Sequence, residues 1–180
     1  RFEQLGFPSI KHEEWKYSNV RDLISVSYDF NAESAIGLAE LEDLKVPKQE
    51  ANILYFVNGR YNAELSTIIS PVEKITISSL AEAYKNDPSK VASYFNELTK
   101  DAEDAFTALN TAFTQDGVFI QIPDNQAVEH PIILRFVSDA RQTNVGSQPR
   151  NIIAVGKNSH VNLAEAFRTL GDQRSFTNAV

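Results

Sequence analysis

The sequence lacks cysteine and methionine altogether and has only seven glycines in 180 residues. The missing cysteine excludes disulfides, thiolate metal ligands and a cysteine nucleophile. The few glycines do not reproduce the spacing of a dinucleotide-binding or Walker phosphate loop, so we expect this chain to bind no nucleotide. No apolar run approaches the about eighteen residues of a membrane span, and no signal peptide is recognisable. We therefore predict a cytoplasmic protein without membrane association.

Basic charge is also scarce. Lys and Arg number 17 against 24 Asp and Glu, which gives a formal net charge of −7. Because the basic residues are scattered along the chain, we expect no nucleic-acid partner. Position 1 is Arg1 rather than Met, so we expect the chain to be part of a longer protein that is shortened at both ends.

The first half predicts a β-hairpin with a small sheet. Residues 53–57 and 60–65 are strand-like, and Asn58-Gly59 between them suits a type I′ turn. Residues 74–77 are predicted to add a third strand to this sheet.

Two helices are predicted to follow the hairpin. Ser79 and Glu82 fit a capping box that opens a short helix to about residue 85. Asp87 and Pro88 fit the N-cap and first position of a second helix of about 27 residues, which Gly117 would end. Its apolar positions form one continuous stripe: Val91, Tyr94, Phe95, Leu98, Ala102, Ala105, Phe106, Leu109, Ala112 and Phe113.

From Gly117 onward the pattern changes to short strands separated by turn residues. The strand-like segments are residues 118–122, 132–137, 151–155 and 160–167. Their starts are unevenly spaced, so no constant repeat period is evident. The pattern alone is compatible with both a parallel β-helix and a β-sandwich. We predict two domains, a mainly helical domain with a small β-sheet over residues 1–116 and a β domain over residues 117–180.

No catalytic or metal-binding constellation stands out. His12 opens a sequence like that of a zinc protease, but Lys16 stands where the second His should be. His130 and His160 are far from it in sequence, and a structural role is predicted for both. Four serines lack a nucleophile elbow: Ser66, Ser70, Ser78 and Ser79. We predict no catalytic residue and no metal ligand, and the residues alone leave the cofactor-binding positions unknown.

Two polar groups near the strands are the remaining candidates. Asp116, Asp124 and Glu129 could act as paired carboxylates for glycosidic chemistry, although acidic residues beside strands are commonly structural. Pro149 precedes Arg150 and Asn151 directly before an apolar strand. We interpret Arg150 and Asn151 as structural ties between neighbouring turns of the β domain.

Several motifs occur in a characteristic order along the chain. They lie at residues 6–8, 11–20, 56–61, 109–113, 116–120, 129–132, 149–151 and 177–180. In this order they resemble the SufB/SufD family of iron–sulfur cluster assembly proteins. SufB carries a Pro between the Glu and Trp of the first long motif, whereas Glu14 and Trp15 are adjacent here, so the resemblance favours SufD. Ser18 departs from the Thr that is usual at its position.

The resemblance covers nearly the whole chain but less than half of a typical SufD. It implies a mainly helical amino-terminal domain followed by the first coils of a right-handed parallel β-helix. It also implies a non-catalytic scaffold subunit of the SUF system that pairs with SufB-like proteins and SufC-like ATPases. The iron–sulfur cluster and FAD would belong to the whole complex, with no cofactor in this part of the chain. The His implicated in SufD would lie beyond residue 180.

Two other functions stay open at this point. A carbohydrate-active β-helix enzyme would also combine strands with acidic residues. A stand-alone protein-interaction domain would need a fold that is complete within these residues. A homodimer formed through the β-helix is a further alternative for the partner.

Overall fold

The computed structural model describes residues 1–44, 50–95, 97, 99 and 104–180, and the side chains of these residues except 42–44. Its helices are short. In chain order they are α1 (Phe2–Leu5), α2 (Arg21–Ile24), α3 (Leu80–Asn86), α4 (Pro88–Phe95) and α5 (Ala105–Phe113), with 3₁₀ turns at Glu13–Trp15 and Leu38–Leu44.

Strands of the described residues form three sheets. In chain order they are β1 (Asn52–Val57), β2 (Arg60–Thr67), β3 (Thr76–Ser79), β4 (Val118–Ile122), β5 (Ile132–Asp139), β6 (Val145–Ser147), β7 (Ile152–Val155), β8 (Leu163–Leu170) and β9 (Ser175–Thr177). The strand orders in the sheets are β2-β1-β5-β8, β3-β4-β7 and β6-β9. The predicted mixed α+β class is confirmed.

Strands β4, β5 and β6 recur as β7, β8 and β9, and each pairs in parallel with its counterpart. We call β4–β6 the first unit and β7–β9 the second unit. Their strands are 5, 8 and 3 residues long in the first unit and 4, 8 and 3 in the second. Corresponding turns of the two units are joined by hydrogen bonds. Gln126 and Ser159 are 33 positions apart in one such pair, and Gln148 and Asn178 are 30 apart in another. The repeat is not evident from the sequence, because β6 and β9 are too short to give a periodic signal.

Side chains that face the space between the sheets stack in rows from strand to strand. Leu54 of β1 is in register with Leu134 of β5, and Phe56 is in register with Phe136. The ring of Phe56 stacks on that of Phe136 with 5.1 Å between centroids, and Phe136 stacks on Phe167 of β8 with 5.0 Å. The buried core around these rows consists of Leu54, Phe56, Ile75, Val118, Ile120, Ile122, Val128, Ile132, Leu134 and Phe136.

Amino-terminal elements cover one side of the first unit, which we call the covered edge. Strand β1 pairs in parallel with β5, and β2 lies antiparallel outside β1. Strand β3 pairs antiparallel with β4, while Asp29 forms a parallel bridge to Val145 of β6. The predicted placement of a third strand in the sheet of the hairpin is therefore wrong, because β3 belongs to the sheet of β4. The predicted boundary between residues 116 and 117 stays a prediction, although β1 and β5 share one sheet across it.

The predicted hairpin is confirmed. Val57 pairs with Arg60, and the two residues between them are Asn58 and Gly59, with φ values of 48° and 81°. Positive φ at both central positions is what a type I′ turn requires, and Asn and Gly adopt it most readily. The turn is fixed further because the side chain of Asn58 donates to the carbonyl oxygen of Ala32 and accepts from the backbone N–H of Asp139.

The predicted helix starts are also confirmed. The Ser79 hydroxyl accepts from the Glu82 backbone N–H at 3.1 Å, where α3 begins. The Asp87 carboxylate accepts from the Lys90 N–H at 3.0 Å, and Pro88 is the first residue of α4. These side chains satisfy amides that the first helical turn leaves without a partner.

The single helix of about 27 residues is wrong. Asp104 has φ −83° and ψ 129°, and its carboxylate accepts from the Thr107 N–H as the N-cap of α5. A residue in this extended conformation interrupts a helix, so α4 and α5 are separate helices. Residues 96, 98 and 100–103 of the predicted helix lie outside the described residues. Asp hydrogen-bonds readily to nearby backbone amides, which favours a helix start over a helix interior.

The predicted role of Gly117 as a helix end is wrong as well. Helix α5 ends at Phe113, with Thr114 as its C-cap. A Cβ atom at Gly117 would overlap the backbone carbonyl of Arg150. The missing side chain therefore allows the start of β4 to approach the segment that joins the two units.

Trp15 is an aromatic anchor for the first residues of the chain. Its ring lies 5.2 Å from that of Phe106 in α5, and Phe7 lies 5.7 Å from the same ring. Phe106 in turn contacts Phe176 of β9 at 6.1 Å. This aromatic cluster attaches the first residues of the chain to the second unit.

Candidate interaction edge and buried arginine junction

The three histidines lie in separate structural contexts. The Nδ1 atom of His12 accepts from the Ser9 N–H at 3.0 Å. The carbonyl oxygen of His130 accepts from the Asn52 side chain, and His160 forms a backbone bridge with Ala127. The described residues contain no group of three or more His, Asp or Glu side chains that could hold a metal ion.

The three candidate carboxylates are each engaged in a different structural contact. Asp116 is buried, and its carboxylate accepts from the backbone N–H groups of Tyr61 and Ala81 at 2.9 and 3.1 Å. Asp124 accepts from the Lys157 N–H at 2.7 Å. Asp116 thus ties the hairpin to the start of α3, and Asp124 ties one turn to the corresponding turn of the second unit.

Glu129 forms an ion pair with Lys74, with 3.0 Å between Oε1 and Nζ. The hydrogen bond from Lys74 and its positive charge hold the pKa of the Glu129 carboxyl below its usual range. A carboxylate that is stabilised in its charged form is poorly suited to act as a general acid.

Asp139 at the end of β5 joins the covered edge to the amino-terminal segment. Arg141 donates to both of its carboxylate oxygens, at 2.6 and 2.8 Å, and Ser34 donates to Oδ2 at 2.6 Å. The hydrogen bond from Arg141, followed by that from Ser34, lowers the pKa of Asp139. The charged form of Asp139 therefore stabilises this junction.

Arg150 is the most buried arginine of the described residues, with 3% of its surface exposed. Its Nη1 donates to Asn110 Oδ1 at 3.2 Å, and its Nη2 donates to the Phe95 carbonyl and the Thr99 hydroxyl at 2.9 and 2.5 Å. The guanidinium also lies 5.1 Å from the centre of the Phe95 ring. Burial lowers the pKa of Arg150.

These contacts correct part of the structural interpretation of residues 149–151. Arg150 connects the strands to α4 and α5, so its predicted role as a tie between turns of the β domain is wrong. Asn151 does tie the two units, because its Oδ1 accepts from the Val118 N–H and its Nδ2 donates to Glu165. Asn110 adds a further link by donating to the carbonyl oxygens of Pro149 and Asn178.

The other side of the stack, which we call the open edge, consists of β7, β8 and β9. These strands are the last in their sheets, and within the described chain no strand pairs with their outer sides. Phe167 is 55% exposed although it occupies the same row as Phe136, which is 3% exposed. Three other large apolar side chains are exposed at this edge: Ile153, Val155 and Leu163. A cleft of about 750 Å³ runs along β7 toward Tyr94 and Phe95.

Residues 1–134 match the sequence profile of the SufBD protein N-terminal region. The chain belongs to the SufBD family. Among its curated relatives is the iron–sulfur cluster assembly SufBD family protein slr0076 of Synechocystis, which is 28% identical over 163 residues. This alignment covers 91% of the chain and 36% of the relative.

Two further SufBD relatives show the same partial coverage. The iron–sulfur cluster assembly SufBD family protein ABCI9 of Arabidopsis thaliana is 27% identical over 77% of the chain and 31% of its own length. The SufBD family protein SSP1857 of Staphylococcus saprophyticus is 25% identical over 69% of the chain and 27% of its own length. The chain thus spans about a third of the relatives that it matches.

Two properties of this SufBD chain bear on its interactions. Within the described ranges, no helix is both long and apolar enough to cross a bilayer.

Glu165 of β8 lies on the same face as Leu163 and Phe167, and it contacts Asn151 at the open edge. The alternation of residues 163–167 places Glu165 on one face with Leu163 and Phe167, but only the register of β5 with β8 shows that this face is the inward one.

Proposed function

We propose that this SufBD chain is the amino-terminal part of a non-catalytic scaffold subunit that acts in iron–sulfur cluster assembly. The proposal rests on the open edge, where the inward-facing apolar side chains of the second unit are exposed. It rests also on the membership of the chain in the SufBD family. An edge of this kind favours pairing with further strands. A scaffold provides such surfaces, whereas an enzyme needs a convergent group of reactive side chains.

The two stacked units are proposed to be the first coils of a right-handed parallel β-helix. Parallel pairing of three successive strands with their counterparts, 30 to 33 residues later, supports this architecture over a sandwich of antiparallel strands. Right-handed connection is the rule when parallel strands are joined within one sheet. In this interpretation β1, β3 and Asp29 close the amino-terminal end of the β-helix.

The non-catalytic part of the proposal rests on what the candidate groups do. Asp116, Asp124 and Glu129 are each engaged in a contact between structural elements. Arg150 is buried and donates its hydrogen bonds to Asn110, Phe95 and Thr99. These contacts give the groups structural roles, which weakens the alternative of a carbohydrate-active enzyme.

The proposed partners are a SufB-like protein and a SufC-like ATPase, and the proposed branch of the family is SufD. The iron–sulfur cluster would be the cargo of the whole complex, with FAD as a cofactor at the level of that complex. The proposed location is the cytoplasm. Glu14 and Trp15 support the SufD branch, because no Pro separates them.

Co-expression tests this function directly. The full-length protein should co-purify with its SufB-like and SufC-like counterparts through affinity and size-exclusion steps, and the complex should raise the yield of clusters transferred to an apo-ferredoxin. Three separately eluting proteins would contradict the scaffold proposal. A stable homodimer without the other two would instead support self-pairing through the β-helix.

A further inference from the structure

One inward-facing row of the stack changes its chemistry at the open edge. Leu54 of β1 is in register with Leu134 of β5, and Leu134 is in register with Glu165 of β8. Both leucines are fully buried. Residues directly paired in parallel strands point to the same side of a sheet, so the third member of a leucine row is a carboxylate.

The neighbouring rows keep their apolar character. Phe136 is followed by Phe167, and the two rings are stacked within 14° of parallel. Ile132 is followed by Leu163. Glu165 is therefore flanked on its own strand by two inward-facing apolar residues, and the change to a charged residue is confined to one row.

Among the residues that the structure describes, Asn151 is the hydrogen-bond donor to Glu165. Asn151 Nδ2 donates to Glu165 Oε1 at 3.0 Å, while Asn151 Oδ1 accepts from the Val118 N–H at 3.3 Å. A carboxylate has about four acceptor positions, so this bond leaves most of its capacity to other donors. At the open edge, water can occupy those positions.

A further strand over β8 would remove that water. Strand β8 covers β5 in the same way, and Leu134 of β5 has no exposed surface there. A carboxylate buried without compensating donors is among the most unfavourable groups in a protein interior. The covering strand must therefore bring donors if Glu165 keeps its inward position.

We propose that the strand following on the open edge places a hydrogen-bond donor directly over Glu165, in a row that is otherwise leucine. The donor is the side chain of a Lys, Arg, His, Asn, Gln, Ser or Thr in register with Glu165. The spacing of the units places it about 30 to 33 residues after Glu165 in the longer protein. Residues in register with Leu163 and Phe167 are apolar. This inference rests on the proposed β-helix, which supplies the covering strand.

The decisive experiment is a crystal structure of the full-length protein, with attention to the atoms within 3.5 Å of the Glu165 carboxylate. The expected result is a side-chain donor from the next strand, together with the Asn151 contact. A strand that covers β8 with an apolar side chain over Glu165, or with Glu165 turned outward, overturns this inference and leaves the β-helix intact. The lack of any strand over β8 contradicts the β-helix itself.

Substitutions in the full-length protein give an independent measurement. Glu165→Leu should lower Tm by several degrees, because it leaves the covering donor without its acceptor. Glu165→Gln should have a smaller effect because it retains one acceptor oxygen. Glu64→Leu, at an exposed position of β2, is the control and should leave Tm nearly unchanged. An unchanged or raised Tm for Glu165→Leu would overturn the proposal.

Discussion

The covered edge and the open edge carry the same strand pattern but differ in burial. Strand β5 is buried along seven of its eight positions, whereas its parallel counterpart β8 has no buried position. The two strands are in full register, and Phe136 and Phe167 occupy equivalent places in one row. The difference therefore arises from what lies beyond each strand. Burial in a stacked architecture depends on the neighbouring layer as much as on the strand itself.

Different devices secure the covered edge. Strand β1 continues the parallel order, whereas β2 and β3 run antiparallel and end it. Side chains such as Asn52 and Asp139 then fix the loops around these strands. The outer strand β2 has an irregular register with β1 and carries the exposed charged residues Arg60 and Glu64, and both features discourage pairing with other chains.

Removing one ring from each edge should give very different losses in the chain of residues 1–180. Phe136→Ala should lower the free energy of unfolding by about 3–5 kcal/mol, because it opens a cavity in a closed core. Phe167→Ala should cost about 1 kcal/mol or less, because the ring is more than half exposed. Equilibrium unfolding in urea measures both. Equal losses would contradict the difference between the edges.

Asn52 should be the most sensitive polar residue of the covered edge. It is fully buried, and its side-chain oxygen accepts from the backbone N–H groups of Ile69 and Ser70. Asn52→Ala should lower the free energy of unfolding by about 2–3 kcal/mol, because it leaves these donors unsatisfied. Asn162→Ala, at an exposed position before β8, is the control and should change it by less than about 0.5 kcal/mol. If Asn52→Ala leaves the free energy of unfolding unchanged, other contacts must hold the loop of Ile69 and Ser70.

The cap that follows β3 should make a smaller contribution. Ser79→Ala should cost about 1 kcal/mol, because the Glu82 N–H loses its acceptor at the start of α3. Ser89→Ala, in the exposed first turn of α4, is the matched control. A chemical denaturation series on the two variants makes the comparison, and similar losses would argue against a specific role of the cap.

Lowering the pH should destabilise the covered edge by protonating Asp139. We expect this loss of stability to be the smallest of the four effects. Its pKa is lowered in the folded chain, so the stabilisation is present above the unfolded pKa of about 3.9 and is lost as the pH falls through the folded value. Asp139→Asn should therefore reduce the pH dependence of unfolding below about pH 4. Arg141→Gln should have a similar effect, and the double variant should add little. Additive effects would contradict a shared interaction.

Local features of this fold could be predicted from the sequence, because a few residues determine them. Asn58 and Gly59 specify their turn by their tolerance of positive φ. Ser79 and Asp87 specify helix starts by the hydrogen bonds that their side chains accept. Asp104 is also a residue type that favours a helix start, but the apolar stripe on both sides of it indicated one continuous helix.

Long-range pairing could not be predicted in this way. Nothing near β3 in the sequence indicates that it pairs with β4 rather than with the hairpin. Strands β6 and β9 are too short for their pattern to be distinguished from a loop. At the candidate site, the direction of Arg150 toward the helices depends on residues 40 and more positions away. The inward position of Glu165 required the register of β5 with β8.

Hydrogen exchange of residues 163–170 tests the central contrast most directly. It should be measured by mass spectrometry on the monomeric chain of residues 1–180 and on the full-length protein, with β5 as an internal reference. We expect β5 to be protected in both, and β8 to exchange quickly in the shorter chain and slowly in the full-length protein. Equally slow exchange of β8 in both would contradict an open edge that a further strand covers.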